Sequence, residues 1–112
     1  MTHPSSPDAV LEALGDRTRR TVLRTIAERG PATATELAGP LGISRQAVSK
    51  HLGVLTDAGM LRADRVGRES RYRLVADGLA PATTWLEGLG SAWEGRMGRL
   101  RDHLDHEDPH PT

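Results

Sequence analysis

Between positions 44 and 52 the chain runs Ser44-Arg45-Gln46-Ala47-Val48-Ser49-Lys50-His51-Leu52. Arg45 and Gln46 carry side chains that form paired hydrogen bonds with guanine and adenine edges, Ser49 suits either, and Lys50 is a compact cation. At helical spacing Ala47, Val48, Leu52 and Leu55 share one face, which leaves Arg45, Gln46, Ser49 and Lys50 on the first two turns of the opposite one. Ser44 is an N-cap type, and a helix start attracts phosphate. Further on, Arg65, Arg68, Arg71 and Arg73 surround Gly67, placed to reach backbone phosphates or an adjacent minor groove, with Arg68 at the tip. The candidate contacts to double-stranded DNA are therefore Thr33, Ser44, Arg45, Gln46, Ser49, Lys50, His51, Arg65, Arg68, Arg71 and Arg73. His51 has two readings, a phosphate contact or a packing residue bonded to backbone.

A polar helix face is by default a solvated one, so the surrounding elements decide what these residues mean. Met1 to Pro7 hold two prolines, two serines and no apolar periodicity, and are expected to form a disordered lead over 1–7. Asp8 is the expected N-cap of a first helix with Val10, Leu11 and Leu14, stopped at Gly15. Asp16 caps a second, with Val22, Leu23, Ile26 and Ala27 on one stripe, ended by Gly30 and Pro31. Thr33 with Glu36 three residues on is a capping box. The third helix turns Leu37, Ala38 and Leu41 inward, with Pro40 distorting its last turn before Gly42. Ser44 opens a fourth helix that Gly59 closes, and two helices joined by about three residues around a glycine form a helix-turn-helix. After Gly59 the period becomes alternating. Met60 to Val66 and Ser70 to Val75 are expected to form a β-hairpin turning at Gly67 and Arg68, with Tyr72 and Leu74 on one face and Arg71 and Arg73 on the other. A last helix runs from Pro81 to about His106, with Leu86, Leu89, Trp93, Met97, Leu100 and Leu104 spaced by three and four. The expected fold class is mainly α with a small β-hairpin: a winged helix-turn-helix of about five helices over 8–106, with a mobile tail at 107–112.

At 112 residues the chain suits one domain with a modest core and leaves no room for a separate effector domain. No signal-peptide pattern and no apolar run of bilayer length occur, so no membrane partner is expected and the expected compartment is the cytoplasm. The absence of Cys agrees with this and excludes disulfides, thiolate metal sites and a Cys nucleophile. Net charge is zero, yet residues 17–73 hold 12 basic and 5 acidic residues, whereas the two ends together hold 3 and 10. A basic middle between acidic ends is the segregation that an electrostatic footprint leaves. No nucleophile with a partner base and no phosphate-cradling glycine loop appears in context, so neither an enzyme nor a cofactor is expected.

The run from Ser44 to Leu52, followed by Leu55, Ala58-Gly59-Met60-Leu61 and Gly67-Arg68 with Tyr72 and Leu74, resembles the ArsR/SmtB family of bacterial repressors. Leu14-Gly15-Asp16-Arg17-Thr18-Arg19-Arg20 is similar to that family's entry into its second helix, with Arg17 where a proline is usual. The resemblance covers Ala9 to Leu104. It implies a homodimer whose first and last helices pair between subunits, a pseudo-palindromic operator, and repression, often of its own gene. Metal-sensing members place cysteines in the third helix, where this chain has Glu36-Leu37-Ala38-Gly39-Pro40-Leu41, so the thiolate site cannot exist. A second family site uses carboxylate and His ligands on the last helix. Here Asp102, His103, Asp105, His106, Glu107 and His110 cluster, but at a different spacing. Asp102 with His106, at i, i+4, could hold Zn²⁺ together with another subunit, and a polar C-terminus accounts for the same letters without metal. No metal site is assigned; a metal-responsive repressor using this cluster stays an alternative. The last helix resembles the non-metal branch, often encoded beside small-ligand-binding or lipid-binding proteins, which leaves an unidentified small-molecule effector open.

The expected dimer interface comprises Val10, Leu11, Leu14, Trp85, Leu86, Leu89, Trp93, Met97 and Leu100. Gly88, Gly90, Gly95 and Gly98 each cost the last helix about 1 kcal/mol relative to Ala. Burying Trp85, Leu89, Trp93 and Met97 against a partner helix offsets this, at about 1.5 to 3 kcal/mol per large side chain. An ordinary core stripe is the competing account. Trp85 and Trp93, eight apart, either line a small-ligand pocket or pack in the interface. The alternative function is a winged helix that docks an acidic protein partner without DNA.

Overall fold

The computed structural model describes residues 6–107. They form α1 (Pro7–Leu14), α2 (Arg17–Arg29), β1 (Ala32–Thr33), α3 (Ala34–Leu41), α4 (Arg45–Asp57), β2 (Leu61–Val66), β3 (Glu69–Leu74) and α5 (Ala80–Glu107). Each of the first four helices starts under a side-chain cap. Ser6 accepts from the Ala9 amide, Asp16 from Arg19, Thr33 from Glu36 and Ser44 from Ala47, each closing a donor that the helix leaves orphaned and each contributing about 1 kcal/mol. The first cap is Ser6 and not Asp8. Pro7 occupies the first helical turn, where a missing N–H costs nothing. The expected lead is thus cut short at its end, and residues 1–5 and 108–112 lie outside the described residues. At the end of α4 the cap is Ala58 and not Gly59. Gly59 follows at φ +85, and the Met60 amide turns back to the Leu55 carbonyl at 3.0 Å.

The core gathers the inward stripe of each helix: Val10 and Ala13, Val22 and Ile26, Leu37, then Val48, Leu52 and Leu55, closed by Met60 and Leu61. Ala27 falls off the expected stripe and is exposed. The strands order β1-β3-β2, all antiparallel. The hairpin register runs from Leu61↔Leu74 to Val66↔Glu69, leaving Gly67 and Arg68 as a two-residue loop. Gly67 has φ +64, the positive first-position angle that matches the twist of a hairpin. Tyr72 packs on the core, but Leu74, expected beside it, is exposed. The third strand is the main departure from expectation. Ala32 and Thr33 pair with Tyr72 and Arg71, tying the middle of β3 to the start of α3.

The chain forms two compact units, the first ending at Ala82 and the second beginning at Thr83. Ala82, 2% exposed, lies in the core of the first. The second is the remainder of α5, on which Trp85, Leu86, Leu89, Trp93, Met97, Leu100 and Leu104 are all exposed. Of the first-helix residues expected at a dimer interface, Leu11 and Leu14 are half-buried. Val10 is 0% exposed: it is a core residue, since the same helical period serves either surface. Among the described residues no helix is long and apolar enough to cross a membrane.

Candidate nucleic-acid interface

The turn between α3 and α4 aims α4. Gly42 adopts φ +67, its amide donating to Ala38 and Gly39 carbonyls at 3.0 and 3.1 Å, and the Ile43 amide follows to Ala38 at 3.4 Å. Such a left-handed reversal closes the last carbonyls of α3 within two residues. Ile43 packs against the core, and Ser44 begins α4 at once. Val48, Leu52 and Leu55 anchor α4 inward, so Arg45, Gln46, Ser49 and Lys50 are exposed together. The Ser44 hydroxyl takes the Ala47 amide at 3.1 Å, which leaves the Arg45 and Gln46 amides at the positive end of the helix.

Directly paired antiparallel residues share a face of the sheet. Arg65 with Ser70 and Ala63 with Tyr72 therefore lie on one face, and Arg62 with Arg73 and Asp64 with Arg71 on the other. Arg73 is engaged there, its Nε 2.8 Å from Asp64 Oδ2. Arg71 pairs with Thr33 across to β1, and its charge reaches Glu36. The Glu36 carboxyl is held below its ordinary 4.5 chiefly by the Thr33 amide, with desolvation opposing, and then by the Thr33 hydroxyl, Arg29 and Arg71. Arg65 Nε donates to the Gly67 carbonyl at 3.2 Å, at the loop. A cleft of about 160 Å³ is lined by Arg45 and Ser49 of α4, by Arg68, Glu69, Ser70 and Tyr72 of the hairpin, and by Ala34. Arg45, Gln46 and Ser49 also border an open hollow of about 350 Å³. Among the described residues the side chains of Arg45, Lys50 and Arg68 form no hydrogen bond or ion pair.

Two expected contacts sit elsewhere. Thr33 is 5% exposed, and both its groups serve the capping box: its hydroxyl accepts from the Glu36 amide at 3.2 Å and its amide donates to Glu36 Oε1 at 2.9 Å. It positions α3 and does not reach the α4 face. His51 is half-buried, and its Nδ1 is buried without a partner. The Asp16 carboxyl is held below its ordinary 3.8 first by the Arg19 amide, with desolvation opposing, and then by the Arg19 and His51 charges. His51 thus lies within electrostatic reach of the start of α2. Glu69, Ser70 and Tyr72 are not among the contacts expected from the sequence, although counting back from the two-residue loop sets Ser70 opposite Arg65.

A family of helix-turn-helix domains matches residues 14–63. The uncharacterized HTH-type transcriptional regulator YuzN of Bacillus subtilis is 40% identical over 87 residues, covering 72% of this chain and 91% of that protein. The HTH-type transcriptional regulator Rv2034 of Mycobacterium tuberculosis is 42% identical over 82 residues, covering 73% and 76%. The solved structure of an ArsR-like transcriptional regulator from Rhodococcus sp. RHA1 matches with TM-score 0.75 at 33% identity, over 93% of this chain and 94% of that one. The chain belongs to the ArsR family. It is a DNA-binding transcription regulator built on a winged helix-turn-helix, and the β2–β3 hairpin is its wing. This ArsR-family chain has no cysteine at all. His110 of the C-terminal cluster and the side chains of His106 and Glu107 lie outside the described residues. Among the described residues no three His, Cys, Asp or Glu are grouped to hold a metal.

Proposed function

We propose that this ArsR-family regulator is a cytoplasmic homodimeric repressor that binds a pseudo-palindromic operator, its own promoter among its targets. The observation that carries the reading is the convergence of α4 and the wing on one cleft, with Arg45 and Arg68 unpaired beside it. Arg45 and Gln46 read guanine and adenine edges, and Ser49 and Lys50 reach bases or phosphates one turn later. Ser44 and the start of α4 meet phosphate, and Arg65 and Arg68 hold the backbone beside the wing. Arg73, paired with Asp64, contributes field more than contact, and the exposed Arg71 on the same face adds to that field. Leu11, Leu14 and the exposed α5 stripe support pairing with a second copy. Two copies set half-sites about 34 Å apart, one helical turn.

Titration against the DNA upstream of its own gene over a salt series tests this. The logarithm of affinity should fall linearly with that of salt, by about 0.9 per phosphate contact. Arg68→Ala should reduce the slope by about one contact and weaken all sequences alike, whereas Gln46→Ala should relax the preference at one base pair by about 1 to 3 kcal/mol. Salt-independent binding, or binding blind to sequence, would overturn the reading.

A further inference from the structure

The cleft between α4 and the wing contains a single acid. Arg45 and Arg68 bring two guanidinium groups to its lining, Ser49, Ser70 and Tyr72 bring hydroxyls, and Glu69 is the one acidic residue among them. Two guanidinium groups and several hydroxyls at the start of a helix form an anion-binding set. A carboxylate free to rotate among them would neutralise the set itself. Glu69 is not free to rotate: Thr35 Oγ1, in the first turn of α3, donates to Glu69 Oε1 at 2.6 Å across 34 residues of chain. That bond draws the carboxylate toward α3 and ties the loop end of β3 to the first turn of α3.

We propose that this cleft seats one phosphate of the DNA backbone, and that Thr35 keeps the seat open by holding the Glu69 carboxylate against α3. Thr35 and Glu69 are positioning residues. The phosphate takes its hydrogen bonds from Arg68 and Ser70 on the wing side and from Arg45 on the α4 side. The inference rests on the DNA-binding reading above and adds where one phosphate sits and what clears its place.

The experiment is a charge rescue read by salt-dependent operator binding. Thr35→Val releases Glu69 toward Arg45 and Arg68. It should weaken binding about eightfold at 0.1 M salt and lower the salt slope by about 0.9, the share of one phosphate. Thr35→Ser keeps the hydroxyl and should bind as wild type. Adding Glu69→Gln to Thr35→Val should restore both affinity and slope, because the released group is then neutral. A purely structural role for Thr35 predicts no such restoration. In a second arm, single neutral methylphosphonates are scanned across a half-site. One position should weaken the wild type and leave Thr35→Val unchanged; if none does, the seat does not hold DNA phosphate and the proposal fails. Wild-type-like binding by Thr35→Val, or a double variant as weak as the single one, overturns the clamp alone. Salt-independent binding by the wild type counts against the DNA reading itself.

Discussion

Several arginines of the basic middle are occupied inside the protein. Arg19 Nε and Arg20 Nη1 each donate at 2.7 Å to the last carbonyls of α1, at Ala13 and Leu14. Arg29 faces Glu36 at 3.6 Å and Arg73 pairs with Asp64. Basic side chains at a helix C-terminus satisfy carbonyls that have no partner within the helix. The charge excess therefore overstates the number of free cations, because Arg19, Arg20, Arg29 and Arg73 are already engaged within the protein. The carboxylates of Asp16 and Glu36 do the converse task at helix starts. Both titrate below their ordinary values, each chiefly through a backbone amide. Stability from a depressed carboxyl is complete above its unfolded value, here 3.8 and 4.5, and is lost as pH falls through the lower folded value. Asp16→Asn and Glu36→Gln should therefore flatten the acid limb of stability by lowering the neutral-pH midpoint toward its acid value, leaving stability well below the ordinary 3.8 and 4.5 little changed. Urea unfolding followed by circular dichroism from neutral pH to below those values checks this. Curves that fall in parallel with the wild type would show that neither cap is charge-dependent.

At the scale of elements, one glycine holds the junction where the sheet hands over to α5. A Cβ at Gly78 would lie 2.8 Å from Met60 Cα, 3.0 Å from the Gly59 carbonyl and 3.1 Å from that of Val75. All three are backbone atoms that cannot swing aside. Gly78→Ala should destabilise by about 1 to 3 kcal/mol, the cost of overpacking a tight site. Gly53, inside α4, has nothing within 4 Å of its would-be Cβ, so Gly53→Ala should stabilise by up to about 1 kcal/mol. Thermal melts of the two variants should move in opposite directions; a shared direction would refute the close approach at Gly78. Neither distance is visible in the sequence, because Met60 and Gly78 meet only after the hairpin folds. What was legible is what is local. Caps at Asp16, Thr33 and Ser44, the reversal at Gly42, the loop at Gly67 and the polar face of α4 each follow from residues within one or two turns. Even the Ser6 cap was available, since Pro7 marks a first turn. β1 escaped because two residues carry no period. Val10 was set at the wrong surface because an apolar stripe does not say which neighbour it meets. Thr33 looked available because a hydroxyl that caps and one that contacts DNA are the same letter. The Thr35–Glu69 bond had no local signal.

For the whole molecule, the question is what covers α5. At 100° per residue Trp85, Leu86, Leu89, Trp93, Met97, Leu100 and Leu104 fall within an arc of about 120°, and Trp93 is 65% exposed. Seven large apolar side chains along one continuous seam exceed the scattered exposure normal for a surface. Gly88 and Gly95 lie on the far side of that arc, where a Cβ meets open space and, at Gly95, only Arg99 at 3.5 Å. They weaken the helix without serving the seam. In a two-fold dimer each substitution counts twice. Losing the burial of one large side chain per protomer, about 1.5 to 3 kcal/mol each, weakens the dimer about 10²- to 10⁴-fold, because 1.4 kcal/mol is tenfold. Trp93→Glu should accordingly sediment as a monomer at micromolar concentration with its winged helix still folded. It should bind an isolated half-site as the wild type does and lose the tighter binding to the full operator, because the second half-site no longer benefits from tethering. Gly88→Ala should leave the dimer intact and raise its melting temperature. If Trp93→Glu stayed dimeric while Gly88→Ala came apart, the seam would lie on the glycine face of α5, and the two copies would pair through the opposite side of the helix.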